Sequence, residues 1–96
     1  MSYEVSIADD TALQLRRFQA WWDENRPAAN PSFTEALTRA LDSLAEFPAS
    51  FPRYADRDVR FCRIEKTPYL LLFEVDSTAR RVTVVAAWSA SLGEAP

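Results

Sequence analysis

The segment YLLLFEVD, residues 69–76, carries large apolar side chains at nearly every position. Successive side chains of a β-strand point to opposite faces, so the segment predicts a strand that is apolar on both sides. One side carries Tyr69, Leu71, Phe73 and Val75, and the other carries Leu70 and Leu72. Such a strand lies in the middle of a sheet and needs cover on both faces, because burial from water is what stabilises apolar side chains.

Two further strands flank this segment along the chain. Residues 59–65 precede it, and residues 81–88 follow it after DSTA, residues 76–79, a sequence typical of a turn. Strands with short connections predict an antiparallel meander. In the last strand, the alternation predicts that Val82, Val84 and Trp88 share one face and that Thr83 and Val85 share the other.

The first half of the chain predicts one strand and one helix before residue 27. Tyr3, Val5 and Ile7 alternate with polar residues, which indicates a strand with one buried face. Asp9 and Asp10 then provide an N-cap and negative charge for a helix that ends near Asn25. The apolar stripe of this helix consists of Ala12, Leu15, Phe18 and Trp22, with Trp21 lying off its centre.

A second helix is predicted to end near Glu46. It starts either at Asn30-Pro31 or at Ser32, which forms a capping box with Glu35. Its apolar stripe consists of Phe33, Leu37, Ala40, Leu41 and Leu44. The short link between the helices predicts a helical hairpin. The fold class is therefore α+β with the order β-α-α-β-β-β, the hairpin packing on one face of a small antiparallel sheet.

The length, net charge and residue content of the chain limit the kinds of function it can have. The chain of 96 residues predicts a single domain, residues 1–96, in which we expect 89–96 to fray unless a partner orders them. A net charge of -3 argues against direct binding to nucleic acid. With Cys62 as the single cysteine and no histidine, we expect neither a disulfide nor a metal or other cofactor. No segment predicts membrane insertion, and the expected location is the cytoplasm.

The sheet should have an apolar face that two helices cannot cover. They can cover only one of the two side-chain sets of the central strand, and a large exposed apolar patch usually marks a binding site. An alternative remains open, in which sheet twist and the connection from Phe47 to Asp58 close over that face.

Several short motifs support a resemblance when their order and spacing are taken together. They are Phe47-Pro48, Arg53-Tyr54, Val59-Arg60, Pro68-Tyr69, Phe73 with Val75-Asp76, and Val82 through Trp88. Over nearly its whole length the chain resembles the ParE branch of the RelE/ParE toxin superfamily. The resemblance implies a bacterial toxin of a type II toxin-antitoxin, or plasmid stabilisation, system. It also implies a ParD-like antitoxin of the ribbon-helix-helix type that wraps the toxin, and DNA gyrase as the target.

The open face and the resemblance together predict a set of partner-binding residues. These are Arg60, Tyr69, Leu71, Phe73, Trp88 and Leu92. Alternatives stay open for three of them. Arg60 could instead pair with Asp56, Asp58 or an acidic residue of the second helix, Trp88 could pack beneath the first helix, and Tyr69 could have a purely structural role.

The RelE branch of the same superfamily raises the question of catalysis. It cleaves messenger RNA on the ribosome with basic residues on its last three strands and a tyrosine near its C-terminus. Arg63 lies near one of those positions, but Leu70 stands where the RelE pattern has arginine, and residues 89–96 contain neither Arg nor Tyr. We therefore predict no catalytic residue and a gyrase inhibitor rather than an enzyme. A RelE-like endonuclease, a degenerate non-toxic antitoxin-binding protein and a homodimer remain alternatives.

Overall fold

A computed structural model describes residues 2–55 and 58–90 of the chain. Its elements follow the predicted order. They are β1 (Glu4–Ile7), α1 (Asp9–Asn25), α2 (Phe33–Glu46), a short 3-10 helix (Pro48–Ser50), β2 (Arg60–Arg63), β3 (Tyr69–Asp76) and β4 (Arg81–Ser89). None of the helices in the described residues is long and apolar enough to cross a membrane.

The four strands form one sheet in the order β1-β4-β3-β2. The pairs β2-β3 and β3-β4 are antiparallel, which confirms the meander. β1, however, runs parallel to β4, with Val5 opposite Val82 and Ile7 opposite Val84, so the sheet is mixed rather than wholly antiparallel. The helical hairpin separates these two strands along the chain, and a crossover of that length can return the chain in the parallel sense.

The helix starts differ in how they are capped. The Ser32 hydroxyl accepts a hydrogen bond from the Glu35 N–H and donates one to the Glu35 carboxylate, both at 3.2 Å, which confirms the capping box and decides against a start at Asn30-Pro31. α1 begins at Asp9 with Ala8 as its N-cap and no side-chain cap. The predicted capping by Asp9 or Asp10 is therefore wrong, although both add negative charge to the first turn, where the helix dipole favours it.

The core lies between the helical hairpin and one face of the sheet, which we call the inner sheet face. Its fully buried large side chains come from α2, from the sheet and from the turn after β2. They are Phe33, Leu44, Ile64, Leu71, Phe73, Val82 and Val84. Tyr69 joins this core at the start of β3, where its ring stacks on Phe18 of α1 with centroids 4.3 Å apart.

A β-bulge in β4 decides which side chains face the helices. Leu72 pairs with Ala86 and Phe73 pairs with Val84, so Val85 is an extra residue without a partner on β3. A bulge interrupts the strict alternation of a strand. Val84 and Ala87 therefore both lie on the inner sheet face, and Trp88 lies on the opposite one. The prediction that Trp88 shares a face with Val82 and Val84 is wrong for this reason.

Candidate functional site

The side of the sheet away from the helices, here called the outer sheet face, carries two cross-strand rows of mainly apolar residues. One row is Phe61, Leu72 and Ala86, and the other is Arg63, Leu70 and Trp88. Residues paired across strands lie on the same face and contact one another. Leu72 is only 4% exposed although it lies outside the main core cluster, whereas Phe61, Leu70, Ala86 and Trp88 are half-buried. The outer sheet face thus presents a partly covered apolar surface.

The connection between α2 and β2 provides that partial cover. It folds back along β2, where the Phe61 N–H donates to the Pro52 carbonyl at 3.1 Å and the Tyr54 N–H donates to the Val59 carbonyl at 2.8 Å. This brings the Tyr54 ring edge-on to Trp88, with centroids 5.3 Å apart. The alternative that this connection closes over the open face is therefore partly correct. Val85 at the bulge remains 36% exposed.

The other half of the outer sheet face is polar. Glu74 pairs across the strands with Thr83, and Asp76 pairs with Arg81. Arg81 also forms an exposed ion pair with Glu4 at 3.6 Å. An open cavity of about 660 Å³ lies here, and its lining includes Asp58, Glu74, Asp76, Arg81 and Thr83. The outer sheet face is consequently divided into an apolar end near Trp88 and a charged end near Arg81.

Arg60 has a well-defined partner within the chain. The residue is half-buried, and its guanidinium donates a hydrogen bond to the main-chain carbonyl of Phe51, with N and O 2.6 Å apart. The Phe51 ring in turn packs edge-on against Phe73, with centroids 5.7 Å apart. Arg60 therefore orients the connection before β2. This agrees with the alternative in which Arg60 pairs within its own chain. The acceptor is a backbone carbonyl rather than a carboxylate, and Asp56 lies outside the described residues.

Three of the predicted partner-binding residues are buried in the core. Tyr69 is 4% exposed, and Leu71 and Phe73 are fully buried beneath the helices. The expectation that these side chains line an exposed face is wrong, because the helical hairpin covers their set and leaves the Leu70 and Leu72 set to the outer sheet face. Tyr69 has a packing role, with Phe33 and Trp22 against its ring at 5.6 and 5.7 Å in addition to Phe18.

The remaining predicted residues have different outcomes. Trp88 is half-buried on the outer sheet face, so the alternative that it packs beneath α1 is wrong. Leu92 lies outside the described residues. Of the five predicted residues that the structure describes, it leaves Trp88 and, in part, Arg60 within reach of a partner.

Sequence reasoning missed a second apolar surface, which we call the α1 groove. It is a cavity of about 470 Å³ where α1 meets the C-terminal end of β4. Its lining residues are Gln14, Arg17, Phe18, Trp21, Trp22, Arg26, Pro68, Tyr69 and Ser89. Trp21 is 51% exposed there, so it projects outward and does not widen the buried face of α1. Its position off the apolar stripe was the signal that could have revealed this surface.

Polar features of the α1 groove are concentrated around Trp22. The Arg26 guanidinium lies over the Trp22 ring, 5.6 Å from its centroid, in a cation–π contact. The buried indole N–H of Trp22 has no hydrogen-bond acceptor in the described part of the chain. Most buried donors in folded proteins have an acceptor, so this N–H is an exception within the described residues.

Burial shifts the pKa values of two core residues, Cys62 and Tyr69, in the direction that keeps their side chains protonated and uncharged. Burial raises the pKa of the Cys62 thiol from 9.0 to about 11, so the thiol is protonated at neutral pH and a poor nucleophile. Burial also raises the pKa of the Tyr69 hydroxyl above its ordinary value. Within residues 2–55 and 58–90, no three His, Cys, Asp or Glu side chains are grouped closely enough to hold a metal ion.

Comparison with known families agrees with this arrangement of elements. The family described as the ParE toxin of the type II toxin-antitoxin system, parDE, matches residues 5–91. The chain belongs to this family. It is a ParE-type toxin of a type II toxin-antitoxin system, which confirms the resemblance inferred from the sequence motifs. No protein of curated function matches it significantly in sequence.

Solved structures of toxins share the fold of this ParE-type chain. A chain of the chromosomal ParDE system from P. aeruginosa superposes with a TM-score of 0.73 at 12% identity, covering 91% of this chain and 95% of that one. A mutant of the E. coli toxin RelE in the free state gives 0.68 at 16% identity, covering 96% and 87%. A chain of the archaeal RelE-RelB complex from Pyrococcus horikoshii gives 0.59 at 14% identity, covering 93% and 96%. Identities this low establish a common fold and no more.

Proposed function

We propose that this ParE-type toxin acts by binding a protein target in the cytoplasm, that the target is DNA gyrase, and that an antitoxin neutralises it by covering the outer sheet face. The apolar end of that face, where Trp88 lies half-buried beside Leu70, is the observation that carries the proposal. Gyrase as the target rests on the resemblance to the ParE branch.

A binding role suits the chemistry of the outer sheet face better than cleavage of RNA. Cleavage needs cations that stabilise charge developing on a phosphate and a group that transfers a proton. Among the residues of the two cross-strand rows, Arg63 carries the positive charge. Its neighbours across the strands are Leu70 and Trp88. Apolar residues around a single cation favour contact with a protein over contact with a phosphodiester.

Trp88 is the expected anchor for the antitoxin. Large aromatic side chains at the centre of an interface often contribute most of its binding energy. The indole of Trp88 already contacts Tyr54 on one side, so a partner has to cover only its remaining surface. Structural neighbours include the intact E. coli RelBE toxin-antitoxin complex, which supports an antitoxin as the occupant. A ribbon-helix-helix antitoxin is the type that the resemblance implies.

The antitoxin contact is tested with the purified cognate antitoxin. Trp88→Asp should weaken binding by about 30-fold or more, because loss of an anchor costs about 2 kcal/mol or more. Thr83→Asp is the matched control, since it places the same charge at the polar end of the same face. Isothermal titration calorimetry measures both affinities. An unchanged affinity for Trp88→Asp would remove the outer sheet face from the proposal.

The target is tested separately with purified gyrase. Supercoiling of relaxed plasmid should stop at excess toxin and resume when antitoxin is added. Unchanged supercoiling would refute gyrase as the target while leaving antitoxin binding intact. Cleaved messenger RNA after expression would support the RelE-like alternative, and harmless expression together with retained antitoxin binding would support the degenerate one. Size-exclusion chromatography of the free toxin tests the homodimer.

A further inference from the structure

One side of α1 is exposed and points away from α2. The side that faces α2 is marked by Gln19, whose amide donates a hydrogen bond to the Thr34 hydroxyl of α2 at 3.1 Å. Trp21 is two residues further on, a rotation of about 200° around the helix, so it lies on the opposite side. Arg17 and Glu24 share that side, because residues three or four apart lie on one helix face. All three are exposed, and we call them the Trp21 flank.

The two charges of the Trp21 flank are unpaired in the folded chain. Within residues 2–55 and 58–90, the side chains of Arg17 and Glu24 form neither a hydrogen bond nor an ion pair. They are two turns apart, about 10 Å along the helix axis, so they do not neutralise each other. The flank therefore presents a large apolar ring with a cation one turn before it and an anion one turn after it.

This order of charges is complementary to itself when two copies of α1 run antiparallel. In a two-fold dimer the same surface patch of both copies meets itself. If the axis crosses α1 between Ala20 and Trp21, each Arg17 faces Glu24 of the other copy, and each Trp21 packs on Ala20, whose small, exposed side chain permits close approach. Parallel helices would instead bring Arg17 onto Arg17 and Glu24 onto Glu24, which like-charge repulsion disfavours. The charges therefore select the antiparallel pair.

We propose that the Trp21 flank binds the Trp21 flank of a second copy of this chain, with the two α1 helices antiparallel. Burial of the two indole rings drives association, and the reciprocal Arg17 and Glu24 pairs set the orientation. The contact follows one side of a 17-residue helix about 25 Å long, so the interface is small and the affinity is on the order of micromolar or weaker. The helices lie on the inner sheet face, so pairing leaves the outer sheet face of each copy open. The proposal gives the homodimer a surface and is independent of the target.

Analytical ultracentrifugation of the full chain between about 5 and about 500 µM tests for the dimer, and the average mass should rise with concentration. Trp21→Ala should weaken association by about tenfold or more, because an aromatic ring at the centre of a contact is lost from both copies. Phe47→Ala is the matched control, since it removes another exposed aromatic ring outside the flank and should leave association unchanged. Circular dichroism verifies that each variant is folded.

A charge swap tests the antiparallel pairing. Arg17→Glu and Glu24→Arg should each weaken association, because either change alone creates two like-charge contacts in the dimer. The variant with both changes should recover most of the affinity, since opposite charges then face each other again. Arg16→Glu is the control, as it makes the same change of charge about 100° around the helix and should have no effect. A double variant no better than the single ones would overturn the proposed orientation.

Other results would assign the flank differently. A monomer mass over the whole concentration range would overturn the proposal. So would association that persists in Trp21→Ala and is lost in Trp88→Asp, since the second copy would then bind the outer sheet face. Antitoxin affinity of Arg17→Glu, measured by calorimetry, should equal that of the parent chain. A weaker affinity would assign the Trp21 flank to the antitoxin, and it would leave the separate test of Trp88 unaffected.

Discussion

The two faces of the sheet are built from adjacent residues of β3, yet they are covered in different ways. Leu71 on the inner sheet face is fully buried under two helices, whereas its neighbour Leu70 on the outer sheet face is half-buried beside Trp88. The two helices pack many side chains against the inner sheet face. The outer sheet face relies on one loop and the contact of Tyr54 with Trp88. The difference shows that apolar sequence alone does not identify a core position, because the covering layer decides it.

The largest expected effect comes from truncating the two neighbours in parallel. Leu71→Ala should lower the free energy of unfolding by about 2–5 kcal/mol, because it leaves a cavity in a packed core. Leu70→Ala should cost about 1 kcal/mol, since a half-buried side chain loses less contact and leaves no closed cavity. Urea denaturation measures both. Equal costs would mean that the two faces are equally well packed, and the comparison would fail.

The pH dependence of stability in alkaline solution tests the burial of Cys62 on the inner sheet face. Cys62 lies there with a pKa raised to about 11 from 9.0, so the folded chain keeps this proton at pH values where the unfolded chain loses it. This difference in pKa contributes about 2–3 kcal/mol to the free energy of unfolding. The contribution is fully present below pH 9 and is lost as the pH rises through about 11.

The measurement compares denaturation curves of the parent chain and Cys62→Ala at several pH values between 8 and about 11. The parent should lose more stability than the variant over this range. Because Tyr69 also titrates in alkaline solution, the difference between the two chains is the quantity of interest. A constant difference would show that the thiol is not shielded as the structure indicates.

Arg60 links the core to the loop that partly covers the outer sheet face. Arg60→Ala should cost about 1.5–3 kcal/mol, because the Phe51 carbonyl loses a charged hydrogen-bond donor. It should also make the loop from Phe51 to Val59 more sensitive to limited proteolysis. Arg53→Ala, an exposed residue of the same loop, is the control and should change neither property. Similar cleavage rates for both variants would contradict the orienting role of Arg60.

The smallest expected effect concerns the ring contact on the outer sheet face. A double-mutant cycle of Tyr54→Ala and Trp88→Ala should give a coupling of about 0.5–1.5 kcal/mol, which is typical of an edge-on aromatic pair. Chemical denaturation of the parent, both single variants and the double variant gives this value. Additive effects would indicate that the loop does not cover Trp88 in solution, and the outer sheet face would then be more open than described.

Sequence reasoning succeeded where the deciding contacts are local. The bounds of α1 and α2 agree with the predicted ends at Asn25 and Glu46, and the capping box at Ser32 and Glu35 is present. The order of elements and the family followed from motifs spread along the chain. The candidate site was predicted less well. Trp88 lies on a partly exposed face as expected, whereas Leu71 and Phe73 belong to the core.

The failures share a physical origin. Val85 forms a bulge because β4 must match the hydrogen bonds of β3, and no pattern within β4 itself announces the extra residue. The acceptor of Arg60 is a carbonyl that only the folded loop brings within reach. The apolar walls of the α1 groove come from α1 and from the start of β3, segments distant in the chain.

The amino-acid sequence by itself determined the helices, the strands, their order and the presence of more apolar surface than two helices can bury. These depend on periodicity, caps and turns, which act over a few residues. Tertiary structure alone decided which apolar set became core, that β1 runs parallel to β4, and that the bulge at Val85 turns Trp88 outward. Those outcomes depend on hydrogen bonds and packing between segments far apart in the chain, and local sequence carries little information about such contacts.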